Sequence, residues 1–251
     1  MRHHRGMPLL IALVVMAGVG WAAHARFAPA VVLRERALAV VGSVRRYVVH
    51  APATMTYLFV VSVTAWVLAT SEPGIDDALL QSHSSNLAAL TQSPVRGLIQ
   101  SAFWVDGTAM FVIAWVLGLA LVPVERWLGT RRWLVVFALG HVVTTLVVAA
   151  IMWGAIRVGW IHGGVRHVVD VGVSYGFGAV AGVLTFRFSL RGGRAYALII
   201  LLGLCVVLAV DRDFTSVGHI IAFAVGLGCV ALTRNDEMRV RAQTPYFAVD
   251  R

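Results

Sequence analysis

Two side chains able to carry nucleophilic chemistry sit inside long apolar stretches of this sequence, a serine at Ser174 and a histidine at His219. Around the serine the chain reads Asp170-Val-Gly-Val-Ser-Tyr-Gly-Phe-Gly-Ala-Val-Ala-Gly182, and on a helix Ser174, Gly178 and Gly182 fall on one face at intervals of four. Around the histidine it reads Gly218-His219-Ile-Ile-Ala-Phe-Ala-Val-Gly226, with His219, Ala222 and Gly226 on one face at steps of three and four. Faces of small residues let two helix backbones approach closely, so packing these two together can bring Ser174 to His219. A neutral imidazole in reach of a serine hydroxyl can take its proton during attack, the minimum arrangement for an activated nucleophile. The same residues have a plainer reading, in which the serine packs as a small residue and the histidine is a hydrogen-bonded structural group.

Other intramembrane polar residues are few: His141, Thr144 and Thr145 in one run, Asp170 and Tyr175 in the next, Thr215 and Ser216 in the last. Two further motifs lead nowhere. Gly172-Val-Ser-Tyr-Gly176 fits the G-x-S-x-G nucleophile elbow, but that elbow needs a strand, a sharp turn and a helix, and no alternating strand pattern is present. His162, His167 and Asp170 match no helical ligand spacing, so they read as a solvated outer-loop cluster, and neither a metal nor an organic cofactor is expected. Cys205 and Cys229 lie in apolar segments and read as packing residues.

The elements that must position Ser174 and His219 are membrane helices. Of 251 residues 59% are hydrophobic and 13% charged, far from the roughly 45–50% and 25% of soluble domains. Only helices and closed barrels satisfy their backbone in hydrocarbon, and the long apolar runs lack the alternation of barrel strands. Six runs approach the roughly 20 residues that cross a core of about 30 Å; they lie near 53–70, 101–123, 132–156, 169–188, 194–211 and 216–233. An earlier run, Met7 to Ala23, follows Arg2 and Arg5 like a signal peptide, but the arginine pattern favours an uncleaved N-terminal anchor or an interfacial helix continuing through Arg46. The fold class is therefore an all-α polytopic membrane protein, with a hydrophobic anchor and basic segment over 1–50, a six-span domain over 51–233 and a tail over 234–251.

The net charge of +9 is carried by arginine, with no lysine in the chain. These arginines are spread between apolar runs rather than along one basic face, which argues against nucleic-acid binding. Every second connection is arginine-rich: Arg45 and Arg46 before the first span, Arg126, Arg131 and Arg132 between the second and third, Arg187, Arg191 and Arg194 between the fourth and fifth, and Arg234, Arg239 and Arg241 after the sixth. Both ends of the six-span core are thereby expected in the cytoplasm, in the cytoplasmic membrane of a bacterium. The long outer loop Ser71 to Gln100 carries Ser84-Ser85-Asn86 and a series of leucines that suggest helix dipping into the interface.

Across residues 53–233 four segments resemble the rhomboid family of intramembrane serine proteases. Pro94-Val-Arg96-Gly-Leu-Ile-Gln-Ser-Ala-Phe-Trp104 is similar to the family's arginine-containing approach to the second span, and Val124-Glu125-Arg126-Trp-Leu-Gly129-Thr-Arg131 to its glutamate-and-glycine signature. Gly172-Val-Ser174 with Gly182 resembles the segment bearing the nucleophile, and Gly218-His219 with Ala222 and Gly226 the helix bearing the base. The resemblance implies a six-helix bundle, a Ser174–His219 dyad, and cleavage of transmembrane or juxtamembrane segments of partner proteins in contact with membrane lipid. Arg96 and Glu125 are expected to be structural, Arg96 through loop carbonyls and Glu125 through Arg131 or Arg132. Tyr175 stands where the family usually has glycine, and Gly178 where it often has an aromatic residue that stacks on the base. The family's oxyanion donors of the second span fall, counting back from Glu125, at Ala109 and Ile113, neither of which can donate. The resemblance therefore also admits a catalytically inactive member that binds transmembrane helices.

Overall fold

The structure, a computed structural model, describes residues 50–233 together with Gly42, Tyr47 and Val49. The chain divides into two units at Val49 and His50, and the architecture below belongs to the second. The expected anchor and tail lie outside the described residues.

Every regular element among the described residues is helical: α1 (Pro52–Thr70), α2 (Ile75–Ser82), α3 (Leu87–Gln92), α4 (Pro94–Ser101), α5 (Gly107–Leu128), α6 (Thr130–Arg157), α7 (Ser174–Leu184), α8 (Leu190–Asp211) and α9 (Phe214–Gly228), the last prolonged by a 3₁₀ turn to Thr233. Helices α1, α5, α6, α8 and α9 with its extension are each long and apolar enough to cross a membrane. The chain is an all-α polytopic membrane protein.

Two spans differ from their expected limits. The second, expected at 101–123, begins at Gly107, because residues Pro94–Ser101 form a separate helix and Gly107 adopts φ +77° after Asp106. The fourth, expected at 169–188, is α-helical only over the 11 residues of α7, with a 3₁₀ turn at Thr185–Arg187. Eleven residues rise about 16 Å, roughly half of a 30 Å core. A short span of this kind leaves non-helical backbone at membrane depth, which is tolerated only inside protein. Here it is enclosed: Ser85 N–H donates to Asp170 O at 2.8 Å, Asp170 N–H to Ser84 Oγ at 2.7 Å, and Gly172 N–H to Ser101 O at 3.0 Å.

Helix α7 forms the central pillar, buried along most of its length and packed against α9, α6 and α5. Missing side chains permit that crowding. A Cβ on Gly176 would meet the Phe137 ring at 2.5 Å, and one on Gly140 would meet Tyr175 O at 3.0 Å. Tyr57, Phe137 and Phe177 interlock edge-to-face beside this contact, at centroid distances of 4.6–5.7 Å. Helix α8 packs on α9 and on the 3₁₀ turn after α7, and buries only Gly193 among its own residues.

Candidate functional site

Ser174 is the first residue of α7, placed there by the non-helical strap 170–173. Helix α7 meets α9 along the two faces read from the sequence. A Cβ on Gly178 would lie 3.0 Å from Ala222 Cβ, one on Gly182 3.0 Å from Gly226 Cα, and Gly226 abuts the Ala179 carbonyl. The pairs 178/222 and 182/226 advance in the same order, so the helices run parallel. One turn earlier, Ser174 comes level with Gly218 and the neighbouring His219.

Tyr175 decides what surrounds that level. It is 2% exposed, its ring lies edge-on to His219 at 5.7 Å with planes at 70°, and its ring and hydroxyl press against Gly218, where a Cβ would come within 2.5 Å of Cε1. Thr215 lines the same small cleft as Tyr175 and Asp170. Ser174 is buried, with 9% exposure, and His219 is half-buried. Among the described residues neither side chain makes a hydrogen bond, to the other or elsewhere. Asp213, just ahead of α9, accepts from Ser216 N–H at 2.8 Å, and these Ser216 contacts with the nearby His219 hold its carboxyl below the usual range.

Three serines and a histidine fasten the strap leading to Ser174. Ser84 and Ser85 bond the backbone of Asp170, and Ser85 Oγ also reaches its carboxylate at 3.2 Å. Asp170 is thus not part of a solvated cluster with His162 and His167; His162 Nδ1 instead accepts from Gly164 N–H at 3.1 Å. His141, 4% exposed on α6, bonds Leu98 O through Nε2 at 2.8 Å and lies 3.4 Å from Ser101 Oγ, beside the Ser101 carbonyl that receives Gly172 N–H.

A model of the rhomboid-like protein family matches residues 46–239. The chain belongs to the rhomboid-like family. Comparison with curated proteins found no match, and comparison with solved structures found none.

The family signature around Glu125 acquires a physical role in this rhomboid-like protein. The Glu125 side chain is 1% exposed and accepts from Ala53 N–H at 2.9 Å, Thr54 N–H at 2.8 Å, Thr54 Oγ1 at 2.7 Å and Thr130 Oγ1 at 2.9 Å. It closes the N-terminus of α1, where orphan amides and the helix dipole favour an anion. The expected partners Arg131 and Arg132 are not among these donors. Gly129, at φ +80°, turns the chain so that Thr130 comes back to the same carboxylate. Arg96 also differs from expectation: it is exposed and donates from Nε to Gln100 Oε1 at 3.0 Å, while His141 binds the loop carbonyl. Ala109 and Ile113 are both exposed, and α5 turns Ala114, Gly118 and Leu121 inward, so no donor arises from that face.

Proposed function

We propose that this rhomboid-like protein is an intramembrane serine protease, in which Ser174 attacks the scissile carbonyl and His219 accepts and then returns the proton. The observation that supports this reading is the parallel, glycine-mediated contact of α7 with α9, whose register puts Ser174 one turn before the Gly178–Ala222 pair, toward Gly218 and His219. Among the described residues neither side chain is hydrogen-bonded, and catalytic hydrogen bonds commonly tighten only in the substrate complex. The N-terminal position of Ser174 adds the free amides of the first turn of α7, which can face an oxyanion where Ala109 and Ile113 cannot. Tyr175 offers His219 an aromatic edge from the position next to the serine, where Gly178 offers none. The substrates are transmembrane or juxtamembrane segments of other proteins.

A second reading, an inactive member that binds transmembrane helices, is favoured by one feature: Tyr175 occupies the space against Gly218 that would otherwise widen the approach to Ser174. Labelling by a fluorophosphonate serine probe separates the two. The detergent-solubilised protein is expected to label, and Ser174→Ala and His219→Ala each to abolish labelling. A folded wild type that stays unlabelled beside a reactive rhomboid supports the inactive reading.

A further inference from the structure

A groove of 640 Å³ runs between α1 and α6. It begins at Pro52 and Thr130, the N-terminal ends of both helices, passes Tyr57 and Ala138, and is closed at Leu98 and Phe103 by α4 and the turn that follows it. Along α6 it extends from Thr130 to Val142, 12 residues or about 18 Å at 1.5 Å each. That is close to one leaflet of a core about 30 Å thick. Its lining is almost wholly apolar, and its volume lies within the roughly 300–1,000 Å³ of small-molecule sites. A membrane-spanning helix of another protein could not follow the groove across the membrane, because α4 lies across its path.

The open end is electropositive. Residues 131, 134, 138 and 142 share a face of α6 at spacings of three and four, and Leu134, Ala138 and Val142 all line the groove. Arg131, the first of that series, is exposed and makes no ion pair or side-chain hydrogen bond among the described residues. The first amides of the 28-residue α6 add the positive end of its dipole. The nearby Glu125 carboxylate is enclosed and bonded to four donors, so it does not present its charge at the mouth.

We propose that this groove holds one acyl chain of an anionic phospholipid from the leaflet on the arginine-rich side, with the phosphate resting on Arg131. Basic residues at the ends of membrane helices select such headgroups. A lipid seated here fills the space between α1 and α6 and stabilises the folded state by mass action.

The test is native mass spectrometry of the full chain released from micelles containing equal amounts of phosphatidylglycerol and phosphatidylcholine. Wild type is expected to retain one phosphatidylglycerol in preference. Arg131→Gln is expected to weaken that preference about fivefold, the equivalent of ~1 kcal/mol for one arginine near a charged surface. Ala138→Trp, which fills the groove, should release the lipid, while Arg132→Gln, off the groove face, should leave it bound. Equal retention of both lipids by wild type, or the same loss in Arg132→Gln, overturns the proposal. So does cross-linking of two copies through Ala138→Cys in a Cys205→Ser background, which would give the groove to a helix. None of these readouts depends on Ser174, so this inference and the protease reading succeed or fail separately.

Discussion

Tyr175 stands where the resemblance to rhomboid proteases leads to an expected glycine, and this difference has a structural counterpart. Tyr175 takes space that Gly218 leaves, so the two residues are expected to be energetically coupled. Gly218→Ala should destabilise the protein by roughly 1–3 kcal/mol through overpacking. Combined with Tyr175→Ala it should cost less than the sum of the single changes by about 1 kcal/mol or more. Denaturant unfolding in mixed micelles measures the cycle, and strict additivity would refute the contact.

At the scale of elements, the anchoring of α1 rests on a residue far away in sequence. Glu125 replaces the capping side chain that α1 lacks, since Ala51 provides none. Glu125→Gln keeps the shape but removes the charge and half of the acceptors, leaving amides of the first turn unpaired. A loss of about 2–4 kcal/mol is expected from charge-assisted hydrogen bonds at a buried site. A variant as stable as wild type in thermal unfolding would show that α1 is held by its apolar packing instead. The expectation that Glu125 would find Arg131 or Arg132 failed because sequence proximity suggested an ion pair, whereas a helix N-terminus offers several aligned donors without desolvating a second charge. The faces of α7 and α9 were legible for the opposite reason. Small residues at intervals of four state which surface can approach a neighbour, and Gly178–Ala222 and Gly182–Gly226 are the resulting contacts.

For the whole molecule, arginine distribution makes a claim about orientation. The loop of α2 to α4 should face outward and the α5–α6 and α7–α8 connections inward. A single cysteine at the exposed Asp77, in a chain with Cys205 and Cys229 replaced by serine, should react with an impermeant maleimide on intact spheroplasts. One at the exposed Arg191 should react only after permeabilisation. The reverse pattern would invert the topology and place the approach to Ser174 in the cytoplasm.

By itself the sequence determined the solvent, the helical class, the approximate spans and the two small-residue faces that bring Ser174 toward His219. These follow from composition and from a 3.6-residue period, which are local properties. The tertiary structure decided that the fourth span is a short pillar fed by a buried strap, because unsatisfied backbone at membrane depth needs partners that lie 71 to 86 residues away in Ser84, Ser85 and Ser101. It decided that His141 rather than Arg96 holds the loop carbonyl, and that the Tyr175 edge rather than a residue at Gly178 meets His219. Each outcome depends on which groups become neighbours only when the membrane helices pack, information that periodicity along one helix does not contain.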